Sequence, residues 1–171
     1  ISGGRLISDG MGVSALARFD RDVLAQPGVD TLILMIGLND IGWPGGVLAP
    51  GEAVPSVRQL IGAYRQLIAR ARAHRLRVIG ATLTPFEGAL PDGPFAYFHD
   101  AAKEALRSEI NAWLRATVEV DALIDFDAVV RDPQRRSRLR PEFDSGDHLH
   151  LQDSGYAAMA AQVDLALLDK T

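Results

Sequence analysis

The 171-residue chain contains no cysteine. Disulfides, cysteine-ligated metal sites and thiol catalysis are thereby excluded together, and the compartment stays open, because a thiol-free chain suits oxidising and reducing surroundings alike. The chain has no long hydrophobic run. Its longest, around Thr31 to Ile36, falls far short of the ~18 apolar residues of a membrane span. Positive charge is not in excess either: 18 Lys+Arg against 22 Asp+Glu give a net charge of −4 and a pI of about 5.5, which argues against a broad nucleic-acid surface. There is no internal repeat, linker or low-complexity tract. What is present, a 47% hydrophobic chain of this length, describes one domain over residues 1–171 that buries roughly 70% of its extended surface without a staple.

Three short apolar runs read as strands covered on both faces: residues 30–37, closed by Gly37, then Arg77 to Leu83, then Val120 to Ile124. Between the first two, Val57, Leu60, Ile61, Tyr64, Leu67, Ile68 and Ala71 recur every three or four residues with arginines interleaved, which predicts an amphipathic helix of about four turns. Thr84-Pro85 stops the second strand and opens a long loop rich in Pro, Gly and aromatics to about His99. Leu106, Ile110, Trp113, Leu114 and Thr117 mark a second helix. A last helix from near Ser154 is expected to bury Tyr156, Met159, Ala160, Val163 and Leu167. Alternating strands and helices imply a parallel sheet in a three-layer α/β/α sandwich. Open sheets of this kind usually have about five strands, so one or two are expected upstream of Ile1.

Ligands of such sheets bind outside the carboxyl ends of the strands, which directs attention to three loops. Gly37-Leu38-Asn39-Asp40 follows the first strand, where Asn39 is a candidate amide donor to developing negative charge and Asp40 a candidate turn cap. Ser145-Gly146-Asp147-His148-Leu149-His150 precedes the last helix, and Asp147 is spaced to hold the His150 ring in one tautomer. The other reading of this segment is a metal pair of His148 and His150, without a third ligand at recognisable spacing. Ser2-Gly3-Gly4 at the start offers glycine N–H groups for close approach to a ligand.

In order and content, Ile1-Ser2-Gly3, Gly37-Leu38-Asn39-Asp40 and Asp147-His148-Leu149-His150 followed by Gly155-Tyr156 resemble the SGNH hydrolases, the GDSL esterase/lipase family. The resemblance spans nearly the whole chain. It implies a flavodoxin-like sandwich and a serine ester hydrolase with His150 as base, Asp147 as its orienting carboxylate, and Gly3 and Asn39 as the oxyanion hole. It also implies no cofactor and a small-molecule partner such as a short acyl ester or an acetylated carbohydrate. Many bacterial members act outside the cytoplasm, so export is an expectation from the same source.

Two departures stand out. Leu151 occupies the place after the histidine where the family has proline. No serine of the chain stands in a Gly-Asp-Ser context, so the nucleophile is left unassigned and is expected, with the first strand, upstream of residue 1. Trp43 and Phe86 are candidates for a substrate pocket, joined by Phe95, Tyr97 and Phe98 in the long loop; packing of that loop onto the domain is the competing reading. The cluster Arg131, Arg135, Arg136, Arg138 and Arg140 reads as a solvated loop or an anion-receiving surface, and Glu87 with Asp92 as an unfixed carboxylate pair. A non-catalytic ligand- or carbohydrate-binding domain and a metal-dependent hydrolase stand beside the esterase as further readings.

Overall fold

The computed structural model describes residues 2–168, so Ile1 of the first motif lies outside the described residues. The three apolar runs form β1 (Thr31–Leu34), β2 (Arg77–Ala81) and β3 (Ala122–Ile124), parallel and in the order β1-β2-β3. Each strand is shorter than its apolar run: β1 and β2 give up their last residues to the loops at the carboxyl edge, and β3 starts only at Ala122. Short helices α1 (Ala15–Phe19) and α2 (Leu38–Gly42) flank β1. The predicted amphipathic helix is α3 (Val57–Ala73), and α4 (Ala101–Ala116) connects β2 to β3. The chain then runs through α5 (Phe126–Val130) to α6 (Asp153–Ala161). The five-residue helices escape a periodicity reading because they hold barely more than one turn.

Local chemistry explains the two long helices. Ser56 caps α3 in a reciprocal box with Gln59, and the buried Leu60, Tyr64, Leu67, Ile68 and Ala71 form its inner stripe. Asp100 caps α4 by accepting from the Lys103 N–H. The period of two along β2 divides the core. Val78 joins Leu60, Leu67, Ile110 and Leu114 on the α3/α4 side, whereas Ile79 and Ala81 join Ile124, Phe126 and Met159 of α6 on the other. Helices therefore lie on both faces of the parallel sheet.

Cover over the second face stops at β1. Ile33 is in register with Ile79, yet Ile33 is 41% exposed while Ile79 is fully buried. On the first face an apolar groove runs between β1 and α1, lined by Ala15, Phe19, Leu32, Leu34 and Leu67. The last helix departs from expectation for the same reason: Tyr156 is 53% exposed and Ala160 is exposed. Met159, Val163 and Leu167 pack against the β3 side, and the rest of α6 has no element over it among the described residues.

Helix α4 carries a feature that the apolar pattern conceals. Beside Leu106, Ile110 and Leu114 runs a second buried stripe, Lys103, Arg107 and Asn111, at intervals of four. Asn111 accepts from the Leu83 N–H and donates to the Leu83 carbonyl, both at 2.8 Å, replacing the ladder that β2 has just left. Asn111→Leu orphans the buried Leu83 N–H and is expected to cost about 1–3 kcal/mol, read as a lowered urea midpoint with an unchanged denaturant slope.

Candidate active site

The first half of the site is built where β1 ends. Gly37 turns the chain with φ of 123° and places Asn39 and Asp40 in α2. Asn39 donates through Nδ2 to the Gly4 carbonyl at 3.1 Å, so the two predicted oxyanion elements meet. Gly3, Gly4, Gly37, Leu38 and Asn39 line one cavity of about 310 Å³, closed by Met35, Ile36 and Leu83. Gly3 has φ of 65°, and an added Cβ would stand 2.6 Å from the Trp43 ring, so a side chain there is excluded twice over.

Asp40 does more than cap a turn. Its buried carboxylate accepts the N–H groups of Leu6 (2.6 Å) and Ile7 (2.8 Å), clamping the segment that follows Gly3 onto α2. Burial pushes this carboxyl above its ordinary range against the pull of those two donors. The neighbouring Arg5 is also buried, pairs with Glu52 and lies over Trp43. Sequence reading missed this clamp because a carboxylate that bonds a segment over thirty residues away leaves no local spacing.

The second half lies in the loop before α6. Asp147 accepts from or contacts four groups: the Ser145 hydroxyl, the Leu149 and His150 N–H groups, and His150 Nδ1 at 2.6 Å. It does not cap α6, whose N-cap is Gln152. Partial burial raises the Asp147 carboxyl, but its hydrogen bonds to the His150 ring and the loop N–H groups outweigh this and bring it down to about 2. The carboxylate is thus ionised at neutral pH and holds the ring through Nδ1.

His148 has its own aspartate, Asp144, which takes both its N–H and its Nδ1. Its backbone is left-handed at φ of 60° and its ring lies against Gly88. Each ring is tied through Nδ1 to a different carboxylate, and among the described residues no three His, Asp or Glu side chains group as a ligand set. The spacing Asp144 to His148 was the available signal for this second pair.

The predicted pocket aromatics lie elsewhere. Trp43 and Phe86 are both buried, Trp43 beneath Gly3, Gly10 and Arg5, and Phe86 against Phe98 and His99. Trp43 thus lies beneath Gly3, and Phe86 packs within the long loop, which folds inward to bury its apolar rings. The arginine cluster is largely neutralised. Arg135 and Arg138 pair with Glu87, Arg131 with Asp127, and Arg140 reaches Glu142. Glu87 feels partial burial upward, yet Ser137, Arg135 and Arg138 hold it below the usual carboxylate range, so it serves the loop and forms no pair with Asp92.

The sequence profile of the GDSL-like lipase/acylhydrolase family matches residues 1–158. The chain belongs to this family. Among solved structures, a GDSL-like lipase from Bacteroides thetaiotaomicron superposes with a TM-score of 0.66 at 20% identity, covering 92% of this chain and 73% of that one. The OSK domain of Drosophila Oskar gives 0.65 at 19% identity, covering 99% and 72%. A variant of the acetyl-xylooligosaccharide esterase Axe2 from Geobacillus gives 0.56 at 20%, covering 94% and 71%. At these identities the likeness is one of fold. No curated protein matches the sequence. Family membership makes the chain a hydrolase of the ester-cleaving kind at family level.

The Asp147 carboxylate supports an acid-titration prediction. Its folded pKa lies below the ordinary 3.8, so the order it lends the 144–150 loop is present above about pH 4 and is lost as pH falls through about 2. The amide resonances of Leu149 and His150 should move together over that range, and Asp147→Asn should abolish the transition.

Proposed function

We propose that the protein is a serine ester hydrolase acting on short acyl or acetyl esters, with Asp147 and His150 as two members of the triad. The observation that carries this reading is the Asp147–His150 pair, whose 2.6 Å contact at Nδ1 directs Nε2 outward as a base. His150 takes the proton of the attacking serine, and Asp147 holds the ring and stabilises the imidazolium. The backbone N–H of Gly3 and the Asn39 amide receive the carbonyl oxygen as it becomes an oxyanion. The leaving alcohol takes the proton from His150, and water repeats the attack on the acyl-enzyme.

The serine is assigned to a strand upstream of residue 1 that pairs with the open edge of β1. The half-exposed Ile33 and the groove between β1 and α1 support this placement, because parallel sheets are ordinarily covered on both faces. A strand in that groove would present its carboxyl end beside Gly37 and Asn39. The acetylated-carbohydrate substrate class draws on the likeness to the acetyl-xylooligosaccharide esterase.

One observation favours a second reading, a non-catalytic ligand-binding domain: Ser145, in the same loop as His150, gives its hydroxyl to Asp147 at 3.0 Å rather than to the base. The two readings part in p-nitrophenyl acetate hydrolysis by residues 1–171 and by the same chain extended through its upstream coding sequence, each with a serine-reactive phosphonate. The extended protein should turn over and carry the label upstream of residue 1, while the shorter one is severely deficient. In the active protein Asn39→Ala should lower kcat by about 10²–10³, and His150→Ala by about 10³ or more. Equal activity of both, with the label on a serine inside 1–171, would falsify the upstream assignment. Absence of turnover in both would favour the binding domain.

A further inference from the structure

The carboxyl edge of the sheet is held by one face of one helix. Lys103, Arg107, Asn111 and Arg115 recur every four residues along α4, and between them they bond to the segments that follow the three strands. Lys103 Nζ donates to the carbonyls of Gly42 (2.9 Å), Pro44 (3.2 Å) and Tyr97 (2.9 Å). Arg107 donates to the Leu83 carbonyl and to Asp127, and Asn111 pins Leu83 from both sides. Arg115 reaches Asp125 and Asp127 after β3. The stripe therefore grips the chain beyond the ends of β1, β2 and β3 in turn.

Resting on the esterase reading above, we propose that Lys103 is a positioning residue for the oxyanion hole, holding Asn39 at its working place through the carboxyl end of α2. Helix α2 is a single turn, too short to persist alone. Its Asn39 carbonyl is bonded by the Trp43 N–H, and its last carbonyl, from Gly42, goes to Lys103. Three carbonyls require three N–H donors, which the ammonium form alone supplies. The same joint is closed by ring contacts. Phe98 lies on Gly42 and Tyr97 on Gly46, so closely that an added Cβ would stand 2.3 Å and 1.5 Å from their rings. Loop 84–99 and helix α2 are thus one body with the buried ammonium at its centre. Movement of Gly42 is transmitted to Asn39 through that single helical turn.

The test is Lys103→Met, which keeps the chain's reach and removes all three donors, in the extended protein, with Lys103→Gln as a partner that retains two N–H groups. Two readouts are taken: the Asn39 side-chain amide resonances with hydrogen exchange of the Ile41 and Trp43 amides, and steady-state hydrolysis of p-nitrophenyl acetate. Met should shift and broaden the Asn39 signals, speed exchange at α2 at least tenfold, and lower kcat about 10- to 100-fold with KM within about twofold, as a misplaced transition-state donor does. Gln should fall between Met and wild type on both readouts. Unchanged Asn39 signals and exchange in either folded variant would overturn the proposal. So would altered signals with an unchanged kcat, or a change in KM alone. If the wild-type protein hydrolyses no ester, the esterase reading fails by itself and the resonance and exchange measurements still decide whether Lys103 holds Asn39.

Discussion

A parallel sheet ends in chain segments whose N–H and C=O groups have lost their ladder partners but remain buried beneath the loops, and every one of them needs a partner. In this protein the partners come from α4. Asn111 and Arg107 saturate Leu83, Lys103 saturates the carbonyls beyond α2, and Arg107 and Arg115 meet the carboxylates that follow β3. Buried ions of this kind are costly to desolvate, and they endure only because each is surrounded by acceptors. The consequence is a carboxyl edge fixed from below by hydrogen bonds of defined direction, where apolar packing alone would leave loops free to slide.

The turn that carries Asn39 and Asp40 illustrates how that rigidity passes upward. Asn39 and Asp40 are adjacent on one turn, and they bind Gly4, Leu6 and Ile7 of a distant segment. Trp43 fills the space beneath Gly3 and Gly10, leaving no room for side chains at either place. Large aromatic rings that sequence reading offers to the substrate thus serve as the floor on which glycine backbone lies. Apolar area is worth most when removed from water, and the loop residues Phe86 and Phe98 follow the same logic.

Electrostatics separates the two histidine pairs from the rest of the surface. Asp147 and Asp144 each organise a backbone turn and a ring together, so the order of the loop and the orientation of its imidazoles are one property. The strained backbone at His148 is of the kind that surrounding structure must impose. Nearby in sequence, Arg131, Arg135, Arg138 and Arg140 are paired with Asp127, Glu87 and Glu142.

By itself the sequence determined the α/β class, the three strands, the two long helices, the family, and the pairing of Asp147 with His150, because each rests on short-range periodicity or on residues a few positions apart. The tertiary structure alone decided the rest. It showed that Asp40 clamps residues 6 and 7, that Trp43 is a floor beneath Gly3 while Phe86 is buried against Phe98 and His99, and that Tyr156 stays exposed on an α6 covered on one side. It also exposed the polar stripe of α4, which reads in sequence as the solvent face of an amphipathic helix. A Lys, an Arg and an Asn at intervals of four look the same whether they point to water or to orphaned carbonyls. Only the position of the neighbouring chain ends, set by long-range packing, distinguishes the two.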